Sequence, residues 1–307
     1  MNSKAFNHLI EKFSEPSEAK RKTAQEKYND TRFNDFIEAK LTRPQFLMIR
    51  HDLPASAKSL PVSESTDELG YDVVIHGGIS DGTNRKINLR ERQEGIVRTD
   101  SGDDYLSLDG LFGKTVETAG QTGAIGVQDF AYPMSLREKR TLSLDVYKPD
   151  ADAETMHTVL CASRVFTPND REAQISEAER DAIWAEIFKD VSPKHRNAVC
   201  PVIFKPDGKA RAETPKFDCP MLILGFRVTF TNAKVNLGFT SADSFSTAPF
   251  PIWALASEPG NGKQLYQRLK RALYVGTGEQ LLFQLENTID GVDTADNGQI
   301  EVLLRKP

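Results

Sequence analysis

The spacing of apolar residues changes period along this chain. In residues 1–50, Phe6, Leu9, Ile10 and Phe13 fall at helical spacing, as do Phe33, Phe36, Ile37 and Leu41. Two short amphipathic helices are predicted there, separated by the polar stretch Ser14 to Asp30. Within that stretch Glu18 to Lys27 is rich in Ala, Glu, Lys and Gln, a helix-forming composition with almost no apolar face. From Phe46 to Pro61 an apolar stretch is broken by Pro44, Pro54 and Pro61 and reads as an extended connection. Beyond it a period of two takes over. Strands are predicted at Tyr71–Ile75, Lys86–Leu89, Gly95–Arg98, Tyr105–Leu108, Thr141–Val146 and Thr158–Val165. Glycines mark the breaks, and His76 to Gly82 reads as a hairpin loop.

One helix interrupts the strands. Ser176 followed by Glu179 makes a capping box, and Ile183, Trp184, Ile187 and Phe188 form an apolar stripe that Pro193 stops. A second β-region offers Val199–Phe204, Met221–Phe230, Val235–Phe239, Ile252–Leu255, Leu281–Leu285 and Ile300–Leu304. Lys263–Tyr274 fits either a helix or a strand. Short strands with turn residues between them predict antiparallel sandwiches or barrels rather than a parallel sheet.

A pattern recurs. Tyr132-Pro133-Met134-Ser135-Leu136 leads through a charged turn into Leu142, Leu144 and Val146. Leu273-Tyr274-Val275 leads through Gly276-Thr277-Gly278-Glu279 into Leu281, Phe283 and Leu285. Superposing Leu142 on Leu281 carries Leu136 onto Val275 and Met134 onto Leu273. The match is one of periodicity and turn placement, which duplication or shared hairpin grammar both produce.

Composition narrows the function classes. With 39% hydrophobic and 27% charged residues the chain is of globular type, and no apolar run approaches the roughly 18 residues of a membrane helix. No secretory signal is read in Met1 to Phe13, so the cytoplasm is the expected place of synthesis. A net charge of −5 argues against a general nucleic-acid binder. The basic stretches Arg137 to Arg140 and Arg268 to Arg271 are short and flanked by carboxylates or apolar residues. Cys161, Cys200 and Cys219 lack paired spacing and read as reduced thiols.

The search for chemistry yields no reaction. His157 and Cys161 on one strand lie about 13 Å apart, too far to share a metal ion. The Asp-rich turns at 100–109 and 290–296 lack the closing glutamate of a calcium loop. No nucleophile elbow is present. No catalytic residue, cofactor or metal is therefore expected. Aromatic-proline steps at Tyr132-Pro133 and around Phe250 and Trp253 fit contact residues or sandwich edges.

The run Phe130 to Leu136, Thr141 to Val146 and Val159 to Phe166 is similar to the closing hairpin of jelly-roll proteins of bacterial virus particles, and Tyr274 through Leu304 resembles a second copy. The resemblance implies a mainly β protein of two antiparallel jelly-roll-like sandwiches with a helical N-terminal arm and one intervening helix. The expected divisions are an arm at 1–50, a first sandwich at 51–170, a helical connection at 171–198 and a second sandwich at 199–307. It implies a virion protein, a capsid subunit or a cement or decoration protein, made in the host cytoplasm and assembling with copies of itself or other virion proteins. Expected interface residues are Phe6, Leu9, Ile10, Phe13, Phe33, Phe36, Tyr132, Pro133, Phe250 and Trp253. A single-stranded nucleic-acid-binding β-module and a carbohydrate-binding or hydrolytic β-protein are the alternatives.

Overall fold

The computed structural model describes residues 24–55, 61–82, 85–91, 106–114, 126–147, 152–165, 175–189, 196–203, 211–228, 234–239, 249–255, 267–286 and 299–307. The first predicted helix, with Phe6, Leu9, Ile10 and Phe13, and the strand predicted at Gly95–Arg98 lie outside these residues.

The strands fall into two consecutive sets. The first comprises β1 (Pro44–Leu53), β2 (Val62–Ser65), β3 (Val73–Ser80), β4 (Lys86–Glu91), β5 (Leu106–Ser107), the two-residue β6 (Gly113–Lys114), β7 (Gln128–Leu136), β8 (Leu142–Tyr147) and β9 (Glu154–Arg164). The second comprises β10 (Asn197–Ile203), β11 (Arg211–Glu213), β12 (Met221–Val228), β13 (Lys234–Phe239), β14 (Phe250–Pro251), β15 (Gln267–Val275), β16 (Leu281–Glu286) and β17 (Gln299–Arg305). The α-helices among the described residues are α1 (Ala24–Leu41), the single turn α2 (Leu108–Leu111) and α3 (Glu177–Ile187).

The first set pairs as β1-β9-β3-β7 opposite β2-β8-β4-β5, with β6 added parallel to the end of β3. The second pairs as β10-β17-β12-β15 opposite β11-β16-β13-β14. With β6 set aside, both sets place their strands, counted along the chain, in the order 1-8-3-6 facing 2-7-4-5. This is a jelly roll, and the chain contains it twice.

Small irregularities repeat as well. The pairing of β3 with β9 slips between Ile75 and Gly77, and that of β12 with β17 slips between Ile223 and Gly225. The Thr66 N–H donates to Leu142 O at 3.0 Å while the Leu142 N–H donates to Thr66 Oγ1 at 3.1 Å. Thr214 and Leu281 make the same two bonds, each at 3.0 Å. The turn after β7 places Lys139 at φ 60°, and the turn after β15 places Gly278 at φ 79°. Their N–H groups donate to Leu69 O and Phe217 O, at 2.8 and 2.7 Å. Shared hairpin grammar does not reproduce long-range bonds of this kind, so the recurrence in the sequence is an internal repeat of the whole unit.

Each jelly roll is filled by side chains that alternate inward along its strands. Leu47, Ile75, Ile87, Leu89, Leu142, Leu144, Val146 and Leu160 are fully buried in the first, and Ile223, Phe226, Val235, Leu281, Phe283 and Val302 in the second. The two cores join. Phe46, Ile79 and Val159 face outward from the first repeat and pack into the second, where Phe46 stacks on Phe250 with ring centroids 4.9 Å apart.

Four local expectations need correction. The stretch at Phe46–Pro61 contains most of a full strand, β1, which pairs with β9 over its whole length; Pro44 stands at the first position, where a missing N–H costs no ladder bond. The segment His76 to Gly82 is mostly strand rather than loop, since β3 runs through Ser80. Gly77 and Gly78 are needed inside it, because a Cβ at Gly77 would strike the Gln128 carbonyl and one at Gly78 would press on Phe112 and Leu160. Ile252–Leu255 is a 3-10 turn that buries all four side chains, which a strand with one solvent face would not do. Lys263–Tyr274 contributes the strand β15: a spacing of four lies on one face of a strand as well as of a helix, and Leu269 and Leu273 both point into the second core.

Candidate functional site

Two neighbouring places concentrate side chains not consumed by the cores: the outer face of each β1-type sheet, and the cleft between the repeats.

On the second repeat the outer face is covered. Helix α1 is a single 18-residue element that joins the polar stretch to the second predicted helix. It lies against β15 with Phe36 and Ala39 buried among Leu222, Tyr274, Ile183 and Ile187. Its Phe33 stacks on Trp184 at 4.6 Å between centroids, and Trp184 in turn stacks on Phe188 at 5.4 Å. The predicted capping box of α3 is present, with Ser176 and Glu179 exchanging hydrogen bonds. Lys40 pairs with Glu179 and Arg271 with Glu38, so charge ties α1 both to α3 and to the sheet. Burial alone would raise the Glu179 carboxyl, but the bonds from Lys40 and Ser176 hold it below its usual value. Burial raises the Tyr274 hydroxyl well above its ordinary range.

On the first repeat the same face lies open along β7. Residues 130–133 oppose the single residue His76, as residues 269–272 oppose Leu224 in the second repeat. Tyr132 therefore stands where Arg271 stands, and Pro133 where Ala272 packs beneath α1. Tyr132 is 87% exposed, and Pro133 and Ser135 are exposed beside it. Among the described residues β7 pairs only with β3 and is an edge, where a proline blocks further strand addition.

The interface residues expected from sequence thus separate. Phe36, Phe250 and Trp253 are buried within this chain, Phe33 is occupied by Trp184, and Tyr132 and Pro133 remain on the surface. Phe6, Leu9, Ile10 and Phe13 lie outside the described residues. The sequence reading missed Phe46 and Glu38 and took Arg271 only as part of a basic stretch; for Phe46 the available signal was an aromatic residue on the outward parity of a strand, which requires recognising the strand first.

The cleft between the repeats has a volume of about 510 Å³ and is bordered by Gln45, Phe46, His76, Ser163, Asp129 and Lys270. A second cleft of about 540 Å³ shares His76, Ser163 and Arg271 with it and continues along α1. His76 Nε2 lies 2.7 Å from Ser163 Oγ. Burial, then Arg271 and Lys270, lower the His76 pKa, so the ring is neutral near pH 7. Lys270 pairs with Asp129 across the cleft. The Cys161 thiol beside them is pushed up to about 12 by burial, which leaves it protonated and unreactive. His157 and Asp81 form a closed pair, with the His157 N–H donating to Asp81 Oδ1 at 2.6 Å and Nδ1 lying 3.0 Å from Oδ2. Among the described residues no three His, Cys, Asp or Glu side chains converge as metal ligands would. No helix among them is long and apolar enough to cross a membrane. Across this cleft the Lys270–Asp129 pair joins the two repeats, whereas the His76–Ser163 contact lies within the first.

No protein-family model matches the chain, and no curated protein matches it. Similar solved structures include vicilin from Capsicum annuum, at 10% identity over 86% of this chain and 76% of that one with a TM-score of 0.18. An 11S globulin from Wrightia tinctoria is 8% identical over 88% of this chain and 85% of that one, with a TM-score of 0.15. Procruciferin, an 11S globulin from Brassica napus, is 8% identical over 86% and 82%, with a TM-score of 0.16. Likeness at this level carries no argument, and the assignment of two jelly rolls rests on strand order.

Proposed function

We propose that this chain is a structural subunit of a virus shell, either a capsid protein or one that cements or decorates a capsid, and that it works by assembling with copies of itself or with other virion proteins. The observation that carries the reading is the jelly-roll strand order occurring twice in one chain with a common core between the repeats. Jelly rolls build viral shells, lectins and cupins alike, and fold alone does not choose among them. The interiors favour the architectural use: Leu47, Leu142 and Leu144 in the first core and Phe283 in the second are fully buried apolar side chains packed against their neighbours. Two sandwiches joined through a common core present several edges and end loops, and closed arrays of such subunits gain strength from many modest contacts.

Light scattering after size exclusion, across a concentration series with and without single-stranded DNA, tests this. A defined closed oligomer formed without nucleic acid is the expected result. A monomer that shifts only when DNA is added would replace this reading with the nucleic-acid module, and a monomer indifferent to both would overturn it.

A further inference from the structure

The face that α1 turns toward the second repeat changes character along its length. Its C-terminal half buries Phe36 and Ala39. Its N-terminal half places Tyr28, Thr31, Arg32 and Asp35 at spacings of three and four, on one side of the helix, where they border a cavity of about 290 Å³. The opposite wall is the sheet. Asn197 and Leu222 are the cross-strand partners of Arg305 on β10 and β12, so the three side chains stand on one face of it, and Arg196 adjoins Asn197.

Cations gather at this cavity in a chain whose net charge is −5. Arg32, Arg196, Arg305 and Lys306 line it, and among the described residues that do so Asp35 alone carries a carboxylate side chain. Tyr28 holds two of the guanidinium groups close together: Cζ of Arg32 and Cζ of Arg196 lie 5.6 and 5.5 Å from its ring centroid, and Arg196 Nη1 donates to its hydroxyl at 2.7 Å.

Arg32 shows that the cluster is incomplete. It is only 9% exposed, yet the one hydrogen bond it makes among the described residues runs from Nη2 to the Pro307 carbonyl oxygen, which leaves most of its five N–H donors unused. Its unpaired nitrogens are not sealed within protein, so they are open to the cavity that Arg32 lines. Burial and then Arg196 lower its pKa, so the charge felt most at this guanidinium is another positive one. A cluster that served only to fasten α1 to its surroundings would pair cation with carboxylate, as Lys40 with Glu179 and Arg271 with Glu38 do further along the helix. Here like charges are drawn together around a space, at a cost that an anion within it offsets.

The chemistry of that anion follows from the donors. Guanidinium forks match the oxygens of phosphate and carboxylate alike, but an excess of several cations over one carboxylate suits a group of about two negative charges, which a phosphate carries near pH 7 and a carboxylate does not. The cavity is small among ligand sites, which fits a phosphate with few further atoms. We propose that the cavity between α1 and the β10-β17-β12 face binds a phosphate group, as the free ion or as the end of a small phosphate ester, with Arg32, Arg196 and Arg305 as its donors. The bound anion bridges helix and sheet and clamps α1 onto the second repeat. None of this depends on the shell-subunit reading.

Equilibrium dialysis of the full chain against radiolabelled inorganic phosphate, at about pH 7.5 and fixed ionic strength, tests the proposal. One site per chain with a Kd below about 1 mM is expected, since two or three charge-assisted hydrogen bonds supply at least that affinity. Competition with unlabelled glycerol phosphate distinguishes the sources: tighter binding of the ester assigns the site to small phosphorylated molecules, and equal or weaker binding assigns it to the free ion. Arg305→Gln, at an exposed position, is expected to weaken binding about tenfold, and Arg32→Gln by more. Arg50→Gln, on the first repeat, is expected to leave it unchanged. Circular dichroism establishes that each variant is folded, and Arg305→Gln keeps the test decisive should Arg32→Gln not fold. A Kd above about 1 mM, acetate competing as well as phosphate, or an affinity that Arg305→Gln does not lower each overturns the proposal.

Discussion

Gly77 and Gly225 occupy the same place in the two repeats, each pressed against the carbonyl of a glutamine on the neighbouring strand, Gln128 and Gln267 respectively. A Cβ at either position would fall well inside contact distance of backbone that cannot rotate away. Gly77→Ala and Gly225→Ala are each expected to lower unfolding free energy by about 2–3 kcal/mol. Gly70→Ala, where a Cβ meets open space, should change it by less than about 0.5 kcal/mol. Urea unfolding of the three variants checks this, and equal effects at all three positions would contradict it.

Thr66 and Thr214 provide a matched pair. Thr→Val at either position keeps the shape and strands the N–H of Leu142 or Leu281, at a cost of about 1–3 kcal/mol. The two losses should add to within about 0.5 kcal/mol, since the sites share no partner. Denaturant midpoints of the single and double variants measure both quantities.

Lys139 holds the left-handed backbone position that Gly278 fills in the other repeat. Lys139→Gly is expected to stabilise the chain by about 1 kcal/mol, and Gly278→Lys to destabilise it by a similar amount. A melting temperature that falls for Lys139→Gly would be the contrary result.

His51 is fully buried in the first core with Nε2 2.7 Å from Leu144 O, and burial lowers its pKa below the ordinary 6.5. In the unfolded chain the ring takes up a proton near pH 6.5, so below that pH the unfolded state binds more protons than the folded one. The stability is present above 6.5 and drains away as pH falls toward the depressed folded value. His76, also lowered, adds in the same direction. Melting curves between about pH 5 and pH 8 should show this acid-side loss, and His51→Gln should make it shallower.

Phe46 crosses from the first repeat into the core of the second. Phe46→Ala is expected to cost about 3–5 kcal/mol. It should also split one calorimetric transition into two, because it removes the largest side chain that the first repeat lends to the second. A single transition at lower temperature would mean that the other contacts between the repeats, the Lys270–Asp129 pair among them, keep them cooperative.

The alternation of Leu142, Leu144 and Val146 and of Leu281, Phe283 and Leu285 made the hairpins legible, and Ser176 with Glu179 marked the start of α3. What escaped was set by long-range contacts. Pro44 and Pro54 concealed β1, whose partner strand lies more than a hundred residues away. Gly77-Gly78 looked like a turn because nothing local reports the carbonyl of Gln128. The exposed Tyr132-Pro133 step was legible as a contact candidate, whereas Phe250 and Trp253 presented the same residue types and proved to be interior. Aromatic-proline steps mark both surfaces and seams, and only register tells them apart.

A molecule made of two near-equal halves risks ambiguity: a neighbour could grip either half, in either orientation, and growth would stall in mismatched patches. Among the described residues the helix lies over one half alone. The two faces therefore differ, and in the shell proposed above that difference would leave each arriving copy one way round in which to join.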